Sequence, residues 1–121
     1  MRRPFLCSFC VAFVLLILGT GCQEAGIRSK EAVLRKELKT MRDQIGNYAT
    51  DREKRPQSLQ DLVDAGYMRE IPKDPFTDSA STWQVKTSGS RLMLDETNQG
   101  ISDVHSGSNL TGSDGTPYSS W

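Results

Sequence analysis

The sequence predicts an α+β domain: a long amphipathic helix packed on a three-stranded antiparallel sheet, with a short second helix and an ordered closing loop. Three observations predict it. Leu34, Leu38, Met41, Ile45 and Tyr48 recur at spacings of four, three, four and three, which places them on one face of a helix. Short strand-like segments separated by Gly, Ser and Asn turns follow between 82 and 106. The helical signals come first and the strand signals later, so helix and sheet segregate.

The chain has 121 residues, which sets the expectation of one domain after any leader. Its net charge is zero with 25% charged residues, a balance that argues against a general nucleic-acid binder. The charge is uneven. Arg28, Lys30, Arg35, Lys36, Lys39 and Arg42 crowd one stretch against Glu31 and Glu37, while no Lys or Arg follows Arg91. The six basic residues read as the solvated face of the helix, near enough to a membrane anchor to favour anionic headgroups.

The chain begins with Arg2 and Arg3, then an uncharged, almost wholly apolar run, Phe5–Leu18. Its 14 positions are shorter than the roughly 20 a membrane-crossing helix needs and suit the apolar core of a secretory signal. Gly19, Thr20 and Gly21 lead to Cys22, and the whole resembles a bacterial lipoprotein signal, cut just before a cysteine that receives lipid. The leucine usual at the third position before that cysteine stands one step further out, at Leu18. The expected division is a signal over 1–21, a lipid-anchored polar tether over 22–28 with Cys22 lipidated, and a globular domain over 29–121. More than one acyl chain makes such an anchor stable. Gln23 follows the cysteine, where the resemblance would require an aspartate for inner-membrane retention. A periplasm-facing outer-membrane location is therefore favoured over the inner membrane. All three cysteines, Cys7, Cys10 and Cys22, lie in this leader, so no disulfide framework or thiolate metal site is expected in the domain.

Ser29 is the expected cap of the long helix, and Ile27 extends its stripe upstream. Pro56 ends it. In "SLQDLVDAG", Ser58 and Asp61 form a capping signal and Gly66 a stop, which predicts a two-turn helix burying Leu59, Leu62 and Val63. "IPKDPF" at 71–76 is an ordered extended loop, because Pro72 and Pro75 remove donors. "TWQVKT" at 82–87 predicts a strand with Trp83 and Val85 inward, "RLMLD" at 91–95 a second antiparallel to it, and "ISDVHS" at 101–106 a third. The tail is loop, yet Tyr118 and Trp121 predict that it folds back on the sheet.

Taken together, Gly66-Tyr67, Ile71-Pro72, Asp74-Pro75-Phe76, Asp103-Val104 with Ser106, Asp114-Gly115 and Trp121 resemble, in order, the periplasmic domain of the major pseudopilins of type II secretion (general secretion pathway protein G), relatives of type IV pilins. The similarity covers roughly residues 30–121. It implies a pilin-like fold and a non-enzymatic envelope protein that acts through contacts with other envelope or secretion-system proteins. The alternative is a periplasm-facing lipoprotein binding module that reuses the fold without a role in secretion. The chain departs from the family at its start: it has no Gly–Phe peptidase site and no acidic residue before Glu24.

The resemblance also implies calcium in the closing loop, with Asp114 as first candidate ligand, then Asn109 and Ser106. Calcium takes six to eight oxygens, and 103–116 offers two carboxylates among several hydroxyls and amides. A polar loop tied by Asx and Ser turns is the alternative reading. No catalytic residues are expected. His105 is the only histidine, without a thiol or a nucleophile motif beside it.

Overall fold

The computed structural model describes the backbone of residues 5–88 and 99–121, and side chains within those ranges from residue 25 onward. Helix α1 runs unbroken from Phe5 to Arg52, helix α2 spans Leu59–Asp64, strand β1 Gln84–Ser88 and strand β2 Gly100–His105, and a single 3-10 turn covers Tyr118–Ser120. The architecture is α+β, with a two-stranded antiparallel sheet among the described residues. The strand expected at 91–95 lies outside them. Strand β1 pairs directly with Gly100–His105.

At 48 residues, α1 is about 70 Å long. Residues 22–28, expected as a tether, are helical, and Ser29 is an interior residue rather than a cap. No proline interrupts Phe5–Arg52, and isolated glycines cost only about 1 kcal/mol each. Glu53 turns left-handed, with φ 54°, and ends the helix. The predicted stripe is the buried face: Leu34, Leu38, Met41, Ile45 and Tyr48 form one core with Leu62, Trp83, Ile101, Val104 and Tyr118. Among residues with described side chains, no helix is long and apolar enough to cross a membrane.

The cap of α2 forms as the sequence predicts. Asp61 N–H donates to Ser58 Oγ, and Ser58 N–H donates to Asp61 Oδ2. Gly66 follows at φ 84°, a conformation that favours glycine. Leu62 is buried, while Leu59 and Val63 are half-buried.

Val85 corrects the strand expectation, because it is exposed rather than inward. It lies opposite Val104, which is fully buried under α1. The helix packs on β2, the inner neighbour of β1 among the described residues. A bulge explains how Ile101 and Val104, three residues apart, both face the core. Lys86 pairs with Asp103 and Thr87 with Ile101, so Ser102 is the extra residue that resets the alternation.

The proline loop is anchored rather than regular. Trp83 Nε1 donates to the Pro72 carbonyl at 2.7 Å, and Asp74 N–H to the Ser79 carbonyl at 3.0 Å. At Gly107 the chain passes so close to Thr82 that a β-carbon would overlap the Thr82 carbonyl oxygen. Gly107→Ala is therefore expected to cost about 3 kcal/mol or more, measured as a lower urea midpoint.

Candidate functional site: the closing loop on the basic helix face

Four α1 residues at helical spacing, Glu31, Arg35, Leu38 and Arg42, face the loop that closes the fold. Glu31, Arg35 and Arg42 each meet a different part of it. Glu31 is buried and accepts from Ser113 N–H at 2.7 Å, Ser113 Oγ at 2.6 Å and Tyr118 Oη at 2.8 Å. The Ser113 donors hold its carboxyl below the usual carboxylate range. Burial, and then the hydrogen bond to Glu31, push the Tyr118 phenol up to about 12.

Aromatic packing continues the contact. Tyr118 stacks on Phe76 with ring centroids 3.8 Å apart and meets the Trp121 ring edge-on at 4.9 Å. The Arg35 guanidinium lies 4.3 Å over the Trp121 ring, whose Nε1 donates to Thr116 Oγ1 at 2.8 Å.

Arg42 corrects the expectation that the basic residues form only a solvated face. Its Nε donates to Asp103 Oδ1 at 2.7 Å, and its Nη2 to the main-chain oxygens of Val104 at 2.9 Å and Trp121 at 2.8 Å. One guanidinium thus ties helix, strand and tail, which a lysine ammonium does not reproduce. Burial pushes the Asp103 carboxyl up, but the Val104 N–H and Arg42 outweigh it and hold the carboxyl below its ordinary value. His105 completes the cluster. Its Nδ1 lies 2.6 Å from the Trp121 oxygen, which can only accept, so Nδ1 carries the proton. Nε2 stands 3.3 Å from Asp103 Oδ2 without hydrogen-bond geometry and is otherwise unpartnered.

The candidate calcium ligands are not gathered by their hydrogen bonds into one site. Asp114 Oδ1 accepts from Thr116 N–H at 2.9 Å and Thr116 Oγ1 at 2.6 Å, an Asx turn that also lowers its carboxyl. Ser106 is buried and donates to Asp74 Oδ2 at 2.5 Å. Asn109 is exposed. Among the described residues, no three His, Cys, Asp or Glu side chains converge to hold a metal ion. Ser106 Oγ and Asp114 Oδ1 are engaged by protein donors and acceptors, whereas calcium takes six to eight oxygen ligands.

No family model matches this chain, and no curated protein or solved structure does either. The site is therefore read from its own geometry: a latch that seats a polar loop on a basic helix, leaving an open groove of about 360 Å³ between Arg35, Lys39, Arg42, Asp114 and Trp121. Two of its three cations are paired with acids, Lys39 with Asp43 and Arg42 with Asp103, and the third, Arg35, lies over the Trp121 ring.

Sequence reasoning missed two buried acids. Glu31 reads as a counter-charge among basic residues, although it sits four residues from Ile27 and three from Leu34, inside the apolar stripe. That spacing is the signal that could have found it. Asp74 carries only the weaker signal of a polar residue between two prolines.

Proposed function

We propose that this chain is a non-enzymatic envelope protein with a pseudopilin-like domain, a component or accessory of type II secretion or related pilus-like export that acts by protein–protein contact. The observation that carries the reading is the seating of the head. Among the residues with described side chains, the core takes the part of α1 from Glu31 to Tyr48, and the helix continues below it through residues 25–30, all exposed. Such a short exposed stem below a head suits presentation of a folded surface beside the membrane that holds Cys22. The latch of Glu31, Arg35 and Arg42 on the closing loop makes that surface rigid.

The chain is held at the membrane through lipid on Cys22, facing the periplasm, on the outer membrane rather than the inner. Palmitate labelling that vanishes in Cys22→Ser is the expected result; labelling unchanged by the substitution overturns the anchor. Co-purification of type II secretion components from envelope extracts tests the partner. Their consistent absence favours the second reading, a lipoprotein binding module outside secretion, which the lipoprotein-like signal supports.

Calcium at Asp114, Asn109 and Ser106 belongs to the same proposal as an implication of the resemblance. On that implication the melting temperature falls with a chelator, and Asp114→Ala removes the difference. A loop held by protein groups alone gives one melting temperature with calcium and with chelator.

A further inference from the structure

We infer that the head rests on an anionic lipid surface through a small apolar rim, Ile27 and Leu110, flanked by Arg28 and Lys30; this rests on the membrane-anchored reading above. Among the described side chains of α1, burial begins at Glu31, and residues 25–30 are all exposed. The apolar stripe, however, continues below the burial. Ile27 lies one turn beneath Glu31 on the same face, and 46% of it is exposed. It meets the tip of the closing loop there: Ile27, Arg28, Thr111, Gly112 and Ser113 line one cleft of about 260 Å³. Leu110, next to Thr111, is 62% exposed, more than Ile27, Val33 or Val85. The end of the head that points toward the apolar run Phe5–Leu18 therefore carries two uncovered aliphatic side chains.

The charge at this end suits a lipid surface. Arg28 and Lys30 are exposed, while the acid beside them, Glu31, is buried and turned to Ser113 and Tyr118. Ile27 stands five helical steps after Cys22, about 8 Å of rise. A headgroup layer is roughly 5–7 Å deep on each side of a bilayer. A lipid-bearing Cys22 thus brings the rim to the outer edge of that layer, within the screening length of about 8 Å. Two aliphatic side chains fall far short of the roughly 800 Å² per partner that a stable protein interface buries. They suffice for a contact that only orients a head already tethered, and this decides for lipid over a protein partner.

The test uses the chain processed and lipidated at Cys22 in envelopes, with methyl-labelled Ile, Leu and Val, in nanodiscs of phosphatidylcholine, alone or with phosphatidylglycerol, doped with a gadolinium-chelate headgroup lipid. The Ile27 and Leu110 methyls are expected to relax several-fold faster than those of Val85 on β1, more so with phosphatidylglycerol. Arg28→Glu with Lys30→Glu is expected to abolish the dependence on phosphatidylglycerol while leaving the melting temperature unchanged. Co-elution with the discs but equal relaxation of Leu110 and Val85 overturns the rim and leaves the anchor standing. Failure to co-elute overturns both. Leu110 signals that ignore lipid but shift on addition of envelope proteins overturn the proposal in favour of a protein partner.

Discussion

Replacing Asp74 with alanine is expected to destabilise the fold by about 3–5 kcal/mol, read as a fall in urea midpoint at unchanged slope. Asp74 is fully buried in the proline loop. Its Oδ1 accepts from Phe76 N–H at 2.9 Å; its Oδ2 accepts from Ser106 Oγ and from Gly107 N–H at 3.2 Å. Ser106 Oγ in turn accepts from Ser108 N–H at 3.1 Å. Removing the carboxyl strands three donors in a place water does not reach, and an unmet buried donor costs more than the bond itself contributes. Asp74→Asn keeps the volume and one acceptor but turns an amide N–H toward a donor, so an intermediate loss is expected. A protein with Asp74→Ala as stable as the parent would show that 71–76 and 106–108 are held by packing alone.

Glu31 and Tyr118 are expected to bound the stability of the domain at both ends of the pH scale. The Glu31 carboxyl is held below its ordinary value of 4.5, so it is a stronger acid folded than unfolded. Its contribution is complete above about pH 4.5 and is lost as pH falls through the lowered folded value. Tyr118 is a weaker acid in the folded state, pushed up from 10.0 to about 12. Its contribution is complete below pH 10 and is lost as pH rises toward about 12. Melting temperature followed by circular dichroism should therefore plateau between these limits. Glu31→Gln should flatten the acid limb and lower the plateau, because its amide N–H₂ faces a Ser113 or Tyr118 donor. Tyr118→Phe should flatten the alkaline limb and keep the ring stack on Phe76. An acid limb unchanged in Glu31→Gln would remove Glu31 as its source.

The parts of the fold that were legible in the sequence are those set by neighbours in the chain. The stripe from Leu34 to Tyr48 gave the buried face of α1 because helical geometry repeats it every three or four residues. Ser58 and Asp61 gave the cap of α2 because both partners lie within one turn. Tyr118 and Trp121 gave a tail that folds back, since aromatic side chains at the end of a polar loop seek cover. The start of α1 was missed: Ser29 is a good cap in isolation, but a cap acts only where the chain before it is not already helical.

By itself, the sequence determined the buried face of α1, helix α2, the proline loop and the existence of a strand after it. Only the tertiary structure decided which polar residues go inside. Glu31 meets Ser113 across 82 residues, Arg42 meets Trp121 across 79, and Asp74 meets Ser106 across 32. It also decided that Val85 stays out, because α1 covers β2 and not the strand beside it. Periodicity reports which way a side chain points. Whether a charge may be buried there depends on the donors that the rest of the chain brings to it.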